Sequence, residues 1–81
     1  MKKRKYYEQY FADYPDLVNL TQFRKMMGGM GDVQARRLMQ QNQVQHFLIR
    51  GTYLIPKVSV INYILSPHYA EYRLKLKSKI P

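Results

Sequence analysis

Residues 19–57 read NLTQFRKMMGGMGDVQARRLMQQNQVQHFLIRGTYLIPK, and this stretch decides the fold. It opens on Asn19, a residue that favours the position just before a helix, and Gln22 stands three residues later to complete a capping box. Apolar residues then recur at helical spacing, which predicts a short helix with one buried face. The residues predicted to form that face are Leu20, Phe23 and either Met26 or Met27. Residues 28–31, Gly-Gly-Met-Gly, are expected to end the helix, because glycine permits a sharp change of direction.

A second helical pattern follows Asp32, which we expect to cap it. Ala35, Leu38 and Met39 fall on one side and are predicted to face the core. The outward positions carry amide and guanidinium groups, with no carboxylate after the cap. Arginine can donate two hydrogen bonds to a guanine edge and glutamine can pair with adenine in the major groove, although a solvated helix face is the alternative. The outward residues are Gln34, Arg36, Arg37, Gln40 and Gln41.

Two short apolar runs, 47–49 and 53–55, are separated by Arg50-Gly51-Thr52, a pattern that predicts a β-hairpin with Arg50 at its tip. Pro56 is expected to end the second strand. Two helices around a glycine-rich turn, followed by a hairpin, predict a mainly α fold with a small β-hairpin. This is the plan of a winged helix-turn-helix, here with extra N- and C-terminal helices, and the hairpin is its wing.

The flanking segments extend this plan. Residues 6–14 are predicted to form a helix ended by Pro15, with an aromatic stripe that packs on the domain in preference to stacking on bases. The residues of the stripe are Tyr7, Tyr10, Phe11 and Tyr14. The expected division is a basic N-terminal segment with an aromatic helix at 1–15, a DNA-binding winged helix-turn-helix at 16–66 and a basic C-terminal helix or tail at 67–81.

Two further helices are predicted after the hairpin. The first runs from about Lys57 to Leu65 and buries Val58, Ile61 and either Ile64 or Leu65. Ser66 and Pro67 suit the cap and first position of the second, which is expected to reach about Lys77. Its predicted apolar side contains Tyr69, Tyr72 and Leu76. The alternation over 73–77 would also suit an edge strand.

The chain is strongly basic, with fourteen Lys and Arg against five Asp and Glu, which gives a net charge of +9. Such a field attracts polyanions, with nucleic acid as the first candidate and an anionic membrane surface as the second. Six of the cations lie within 19–57, where Asp32 is the only acid. They are Arg24, Lys25, Arg36, Arg37, Arg50 and Lys57.

Other classes of protein are less well supported. No apolar run reaches the roughly 18 residues that a bilayer requires. A membrane-surface role is also weakly supported, because the basic faces are short and tyrosines outnumber strongly apolar anchors, so no membrane partner is expected. The absence of cysteine fits a reducing cytoplasm. His46 and His68 are not in a metal-ligand spacing, and the acids form no convincing catalytic pair. We therefore expect neither an enzyme nor a cofactor.

The run from Asn19 to Leu65 resembles the excisionases of integrative conjugative elements, the small recombination directionality factors that partner tyrosine integrases. More broadly it is similar to the excisionase-type winged helix-turn-helix domain, a relative of the mercury-resistance regulator fold. The matching features are the capped first helix, a Gly-acid step into a helix carrying Ala-Arg-Arg-Leu at 35–38, the Tyr-Leu-Ile-Pro-Lys end of the hairpin at 53–57, and a third apolar helix. The resemblance covers about 47 of the 81 residues.

The resemblance implies that the helix at Asp32 is a recognition helix. Contacts to the major groove and to phosphates would then come from its outward residues, Gln34, Arg36, Arg37, Gln40 and Gln41. Arg50, Gly51 and Thr52 would be the wing, touching the minor groove or backbone, and the remaining cations, Arg24, Lys25 and Lys57, would contact phosphates. Such proteins bind repeated DNA sites cooperatively, bend the DNA and help an integrase excise a mobile element. The implied setting is the bacterial cytoplasm, at the nucleoid, with duplex DNA, an integrase and neighbouring copies as partners.

Two differences from the family concern the wing. Its turn is about one residue shorter than the commonest form, and Thr52 and Leu54 stand where many relatives carry basic residues. Two other functions remain open. The same fold could serve a transcriptional regulator of the mobile element, because the DNA contacts would be the same. Alternatively, a basic protein-interaction adaptor would present these charges to an acidic partner.

Overall fold

The computed structural model describes residues 3–73 and shows a helical chain with a small antiparallel sheet. Within these residues the elements are α1 (Arg4–Tyr10), β1 (Leu17–Val18), α2 (Leu20–Met26), α3 (Asp32–Gln40), β2 (Phe47–Ile49), β3 (Thr52–Pro56), α4 (Lys57–Ile64) and α5 (Pro67–Tyr72). The predicted mixture of helices with a β-hairpin is confirmed. In the described range, no helix combines the length and apolarity needed to cross a membrane.

The hairpin forms as predicted. Strands β2 and β3 pair antiparallel, with Phe47 opposite Leu54 and Ile49 opposite Thr52. Arg50 and Gly51 connect them with φ angles of 51° and 77°. Two successive positive φ angles are typical of the type I′ turn, whose twist matches that of the strands it joins. The turn therefore leaves Arg50 at the tip of the hairpin.

A third strand, β1, was missed by the sequence patterns. Its two residues pair with β3 on the edge opposite β2, Leu17 with Pro56 and Val18 with Ile55, so the strand order is β1-β3-β2. Two residues are too few to show an alternating pattern, and this pairing partner lies far along the chain. The sheet holds the start of α2 against the end of the hairpin.

Helix α2 begins at the predicted capping box. The Gln22 amide N–H donates to the Asn19 side chain at 2.7 Å, and the Asn19 N–H donates to the Gln22 side chain at 3.0 Å. Phe23 is fully buried. Met26 and Met27 are both buried, whereas the helical spacing predicted burial of only one of the two. Leu20 packs against the core while remaining half-buried.

The core gathers side chains from almost every element. Its fully enclosed members come from β1, α2, the turn, α3, β3 and α4, and they include Val18, Phe23, Met30, Ala35, Ile55 and Val60. Tyr7, Phe11 and Tyr69 from the flanking helices belong to the same cluster. Helices α1 and α5 both contact α4, and the Arg4 guanidinium donates to Asn62. Residues 3–15, 16–66 and 67–73 therefore share one core.

Two details of α1 were predicted wrongly. The helix ends at Tyr10, and a turn follows it, so the chain leaves helical geometry well before Pro15. Tyr10 is 49% exposed, because the buried side of the helix is centred on Tyr7 and Phe11. Its ring stacks on the outside against Tyr6, with centroids 5.9 Å apart. Tyr14 reaches the core from the turn and is half-buried.

Helix α4 has the predicted bounds to within one residue, but Val58 is 55% exposed and its predicted burial was wrong. Ile61 and Ile64 are buried as expected. Val60 and Tyr63 are also buried, because α4 is contacted by α1, β3 and α5 together. Val58 lies in the first turn and none of these elements covers it.

Helix α5 begins as predicted. The Ser66 hydroxyl accepts from the Tyr69 N–H at 3.3 Å, with Pro67 at the first helical position. Tyr69 is buried and Tyr72 packs partly against the core. The proposed continuation to Lys77, with Leu76 on the apolar side, and the alternative edge strand lie largely outside the described residues.

The capping box gives a first testable prediction. Asn19→Ala removes the acceptor for the Gln22 N–H and should lower the free energy of unfolding by about 1 kcal/mol. Thr21→Ala, at an exposed position of the same helix, is the matched control and should change stability by less than about 0.5 kcal/mol. Urea unfolding measures both. Equal losses in the two variants would contradict the role of the cap.

Candidate nucleic-acid interface

Helix α3 turns one side to the core and the other to solvent. Ala35, Leu38 and Met39 are all buried, as predicted. Arg36, Arg37, Gln40 and Gln41 are exposed, and Gln34 is half-buried at the edge of the core-facing side. At 3.6 residues per turn, the positions opposite the buried side are those of Val33, Arg37 and Gln40. The outward face is therefore centred on these three residues.

Val33 was missed by the sequence patterns. It is 66% exposed in the first turn of α3, beside Arg37 on the outward face. An apolar side chain at that position can contact the methyl group of thymine in the major groove. Helical spacing from Ala35 and Leu38 already places it opposite the buried side, and this signal could have found it.

Asp32 does not cap α3. The cap position is Gly31, which makes no side-chain cap hydrogen bond, and Asp32 is the first residue of the helix. Its carboxylate accepts from Arg36 Nε at 2.7 Å, and this hydrogen bond raises the pKa of the Arg36 guanidinium. A carboxylate in the first turn also lies favourably near the positive end of the helix dipole. Asp32 thus pairs with Arg36 instead of closing the end of the helix.

Arg24 joins the same group from α2. Its Nε donates to the Met30 carbonyl oxygen at 2.9 Å, and its Nη1 lies 3.8 Å from an oxygen of Asp32. The side chain remains 38% exposed. Arg24, predicted as a phosphate contact, therefore already holds the turn between α2 and α3.

Lys57 has a similar internal role. Its ammonium group donates to the Tyr14 carbonyl at 2.9 Å and to the Phe11 carbonyl at 3.4 Å. The Asp16 carboxylate lies 4.0 Å away, and only 19% of the Lys57 side chain is exposed. A lysine enclosed in this way has its donors directed at the loop after α1. Lys25, the third predicted phosphate contact, is exposed and pairs with no acid among residues 3–73.

The hairpin is joined to α3 through α2. Strand β3 packs against α2, and α2 packs against α3. Arg50, Gly51 and Thr52 are all exposed, as predicted. Strand β2 also has all three side chains at least half exposed: Phe47, Leu48 and Ile49. The sequence pattern predicts a strand here, but it does not predict that all three side chains of the strand are exposed.

The two histidines have structural partners. His46 Nδ1 hydrogen-bonds the Val44 carbonyl at 2.8 Å, and His68 Nδ1 hydrogen-bonds the Tyr63 hydroxyl at 2.9 Å. Burial raises the pKa of Tyr63 well above its ordinary value, so this hydroxyl stays protonated. In the part of the chain that the structure describes, no group of three His, Asp or Glu side chains could hold a metal ion.

Comparison with protein-family models, with curated proteins and with solved structures found no match to this chain.

The contrast between Lys57 and Lys25 can be tested. Lys57→Ala removes a charged donor from two carbonyl groups and should lower the free energy of unfolding by about 1–3 kcal/mol. Lys25→Ala removes an exposed charge and should stay within about 0.5 kcal/mol of the parent. Chemical denaturation of both variants at one pH checks this. Similar small effects at both positions would mean that the Lys57 hydrogen bonds contribute nothing.

Proposed function

We propose that this protein binds duplex DNA in a sequence-specific way, without catalysis, using α2, the glycine turn, α3 and the hairpin as a winged helix-turn-helix. The observation that carries the proposal is the outward face of α3, where Arg37 and Gln40 are exposed, together with the exposed Arg50 in the turn of the hairpin. The one carboxylate of this face, Asp32, is already held by Arg36. The face thus offers donors and positive charge to a partner.

Helix α3 enters the major groove in this proposal. Arg37 is suited to donate two hydrogen bonds to a guanine, Gln40 to pair with an adenine, and Val33 to contact a thymine methyl group. Arg36, Gln34 and Gln41 flank these residues and set the position of the helix on the backbone. Arg36 keeps only part of its donor capacity for DNA, because Asp32 occupies its Nε.

The wing supplies the second contact. Arg50 would enter the neighbouring minor groove, where a narrow groove attracts arginine, and the Thr52 hydroxyl would meet the backbone. Lys25, Arg37 and Arg50 are exposed cations of this surface that form no ion pair within residues 3–73, and they would displace counterions from phosphates. Binding should therefore weaken as salt concentration rises.

The biological role proposed is that of an excisionase. Its support is the order of sequence features from Asn19 to Leu65, together with helices and a hairpin arranged as that order predicted. The protein would bend DNA at the end of a mobile element and help a tyrosine integrase, in the bacterial cytoplasm at the nucleoid. Regulation of the element's own promoter would use the same contacts, and the experiment below separates the two roles.

The role of Arg37 gives a specific prediction. Arg37→Ala should reduce the preference for the target over competitor DNA by about 1–3 kcal/mol, because it removes a base contact. Arg73→Ala removes the same charge from an exposed site outside the proposed interface and should leave that preference unchanged. Competition binding at fixed salt measures both. An equal loss on every DNA would assign Arg37 to phosphate instead.

The wing is tested by Arg50→Gly. Glycine accepts the φ of 51° at this position without strain, so the variant should be at least as stable as the parent. Its affinity for DNA should fall, because the guanidinium at the tip is lost. Arg50→Lys, which retains the charge, should recover part of the affinity. Unchanged affinity in the glycine variant would exclude the wing from the interface.

The function as a whole is tested by a gel-shift titration against tiled fragments from the ends of the host element and from its own promoter. Stepwise bands on an element end that resist competitor DNA would support cooperative binding and the excisionase role. Preference for the promoter alone would favour the regulator. Equal smearing on all DNA that disappears at modest salt would contradict sequence-specific binding and favour the adaptor.

A further inference from the structure

A groove between α1, β1 and the start of α4 combines apolar side chains with negative charge. It has a volume of about 570 Å³ and is lined by Leu17, Pro56, Val58 and Ile61, with Glu8, Asp16 and Lys57 at its edges. Leu17 is 50% exposed and Val58 is 55% exposed. Burial of these two half-exposed apolar side chains under another segment would be favourable, because it would remove apolar surface from water.

The charge at this groove is opposite to that of the chain as a whole. The protein has only five acids against fourteen cations, and two of the acids, Glu8 and Asp16, border the groove. Asp16 is fully exposed, and its only ion pair in the described range is the 4.0 Å contact with Lys57. Lys57 directs its donors at two carbonyl groups. No cation among residues 3–73 pairs with Glu8.

The groove lies away from the proposed DNA surface. It borders β3 at Pro56, whereas the wing turn is at the other end of that strand, before Thr52. Four residues of extended strand separate these ends by about 13 Å. Its carboxylates would also repel phosphates. The chemistry that fits this groove is an apolar segment carrying lysine or arginine.

The chain contains such a segment directly after the described part. Residues 74–81 have the sequence Leu-Lys-Leu-Lys-Ser-Lys-Ile-Pro. In an extended chain alternate side chains point to opposite sides, so Leu74 and Leu76 could cover an apolar floor while Lys75 and Lys77 meet carboxylates above it.

The described chain ends close enough for this segment to reach. Helix α5 packs on α4 through Tyr69 and Tyr63, whose ring centroids lie 5.7 Å apart. Arg73 acts electrostatically on Tyr7, the neighbour of Glu8 in α1. Eight extended residues span at most about 26–29 Å. The groove is lined by Glu8 of α1, and this seven-residue helix is only about 10 Å long. The span of residues 74–81 is therefore long enough to reach the groove from Arg73.

We propose that the groove bordered by Glu8 and Asp16 binds residues 74–81 of the same chain, with Leu74 and Leu76 on Leu17 and Val58. Lys75 and Lys77 then lie beside the two carboxylates. The interaction is intramolecular. It covers the apolar floor and brings cations to Glu8, which has no ion pair within residues 3–73, and to Asp16, whose one ion pair there is the 4.0 Å contact with Lys57.

Carbodiimide cross-linking of the full chain tests this directly. The reagent takes up the elements of water as a carboxylate and a lysine amine within contact distance form an amide. An equimolar mixture of ordinary and heavy-nitrogen-labelled protein is treated without DNA, and its peptides are identified by mass spectrometry. The expected products join Glu8 or Asp16 to Lys75 or Lys77 within one isotopic form. Mixed-isotope products would assign the groove to a second copy, and absence of these products would leave it empty; either result overturns the proposal.

Two variants show whether the apolar floor is responsible. Leu17→Asn and Val58→Asn each remove an apolar contact and should lower the yield of these cross-links several-fold. Val33→Asn changes a valine of α3 that is 66% exposed, compared with 55% for Val58, and it should leave the yield of the cross-links unchanged. Equal yields in all three variants would mean that the apolar side chains of the groove do not contribute and that the cross-links arise from general attraction between charges. That result would overturn the proposed docking. Because no DNA is present, the outcome is independent of the proposed function.

Discussion

The turn between α2 and α3 is the constraint on which the rest of the structure depends. Gly28 and Gly29 adopt φ angles of 80° and 94°, which only glycine accepts at low cost, and the chain reverses there. Arg24 then donates to the Met30 carbonyl and approaches Asp32. One side chain of α2 thus contacts both the turn and the start of α3. This arrangement sets the direction of the outward face of α3 relative to the core.

Much of the fold could be predicted because its signals are local. A capping box, helical spacing of apolar residues and a hairpin turn containing glycine each involve neighbours in sequence, and all three are found in the structure. The turn is one residue shorter than the predicted Arg50-Gly51-Thr52, because Thr52 already pairs with Ile49. What failed depends on distant contacts. Strand β1 exists only because β3 returns beside it. Val58 stays exposed because the elements that bury Ser59 and Val60 in the same turn of α4 do not cover it.

In the candidate site, too, local signals could be predicted from the sequence, whereas distant contacts could not. Periodicity correctly predicted that Arg36, Arg37, Gln40 and Gln41 are exposed, whereas Gln34 is half-buried at the edge of the core-facing side. The pairing of Asp32 with Arg36 has the i, i+4 spacing of a helical ion pair and could have been recognised in place of a cap. Lys57 could not. A lysine looks alike in sequence whether it faces solvent or donates to carbonyl groups from across the fold.

Strand β2 has a consequence for handling the protein. It lies at the edge of the sheet, and Phe47, Leu48 and Ile49 are all at least half exposed, without a charge, a proline or a bulge to discourage pairing with another strand. Mutual repulsion between bodies of net charge +9 opposes such pairing between copies. Salt shortens the range of that repulsion to about 3 Å at 1 M. High salt, which strips nucleic acid from a basic protein, is therefore also the condition that leaves this edge least protected against aggregation.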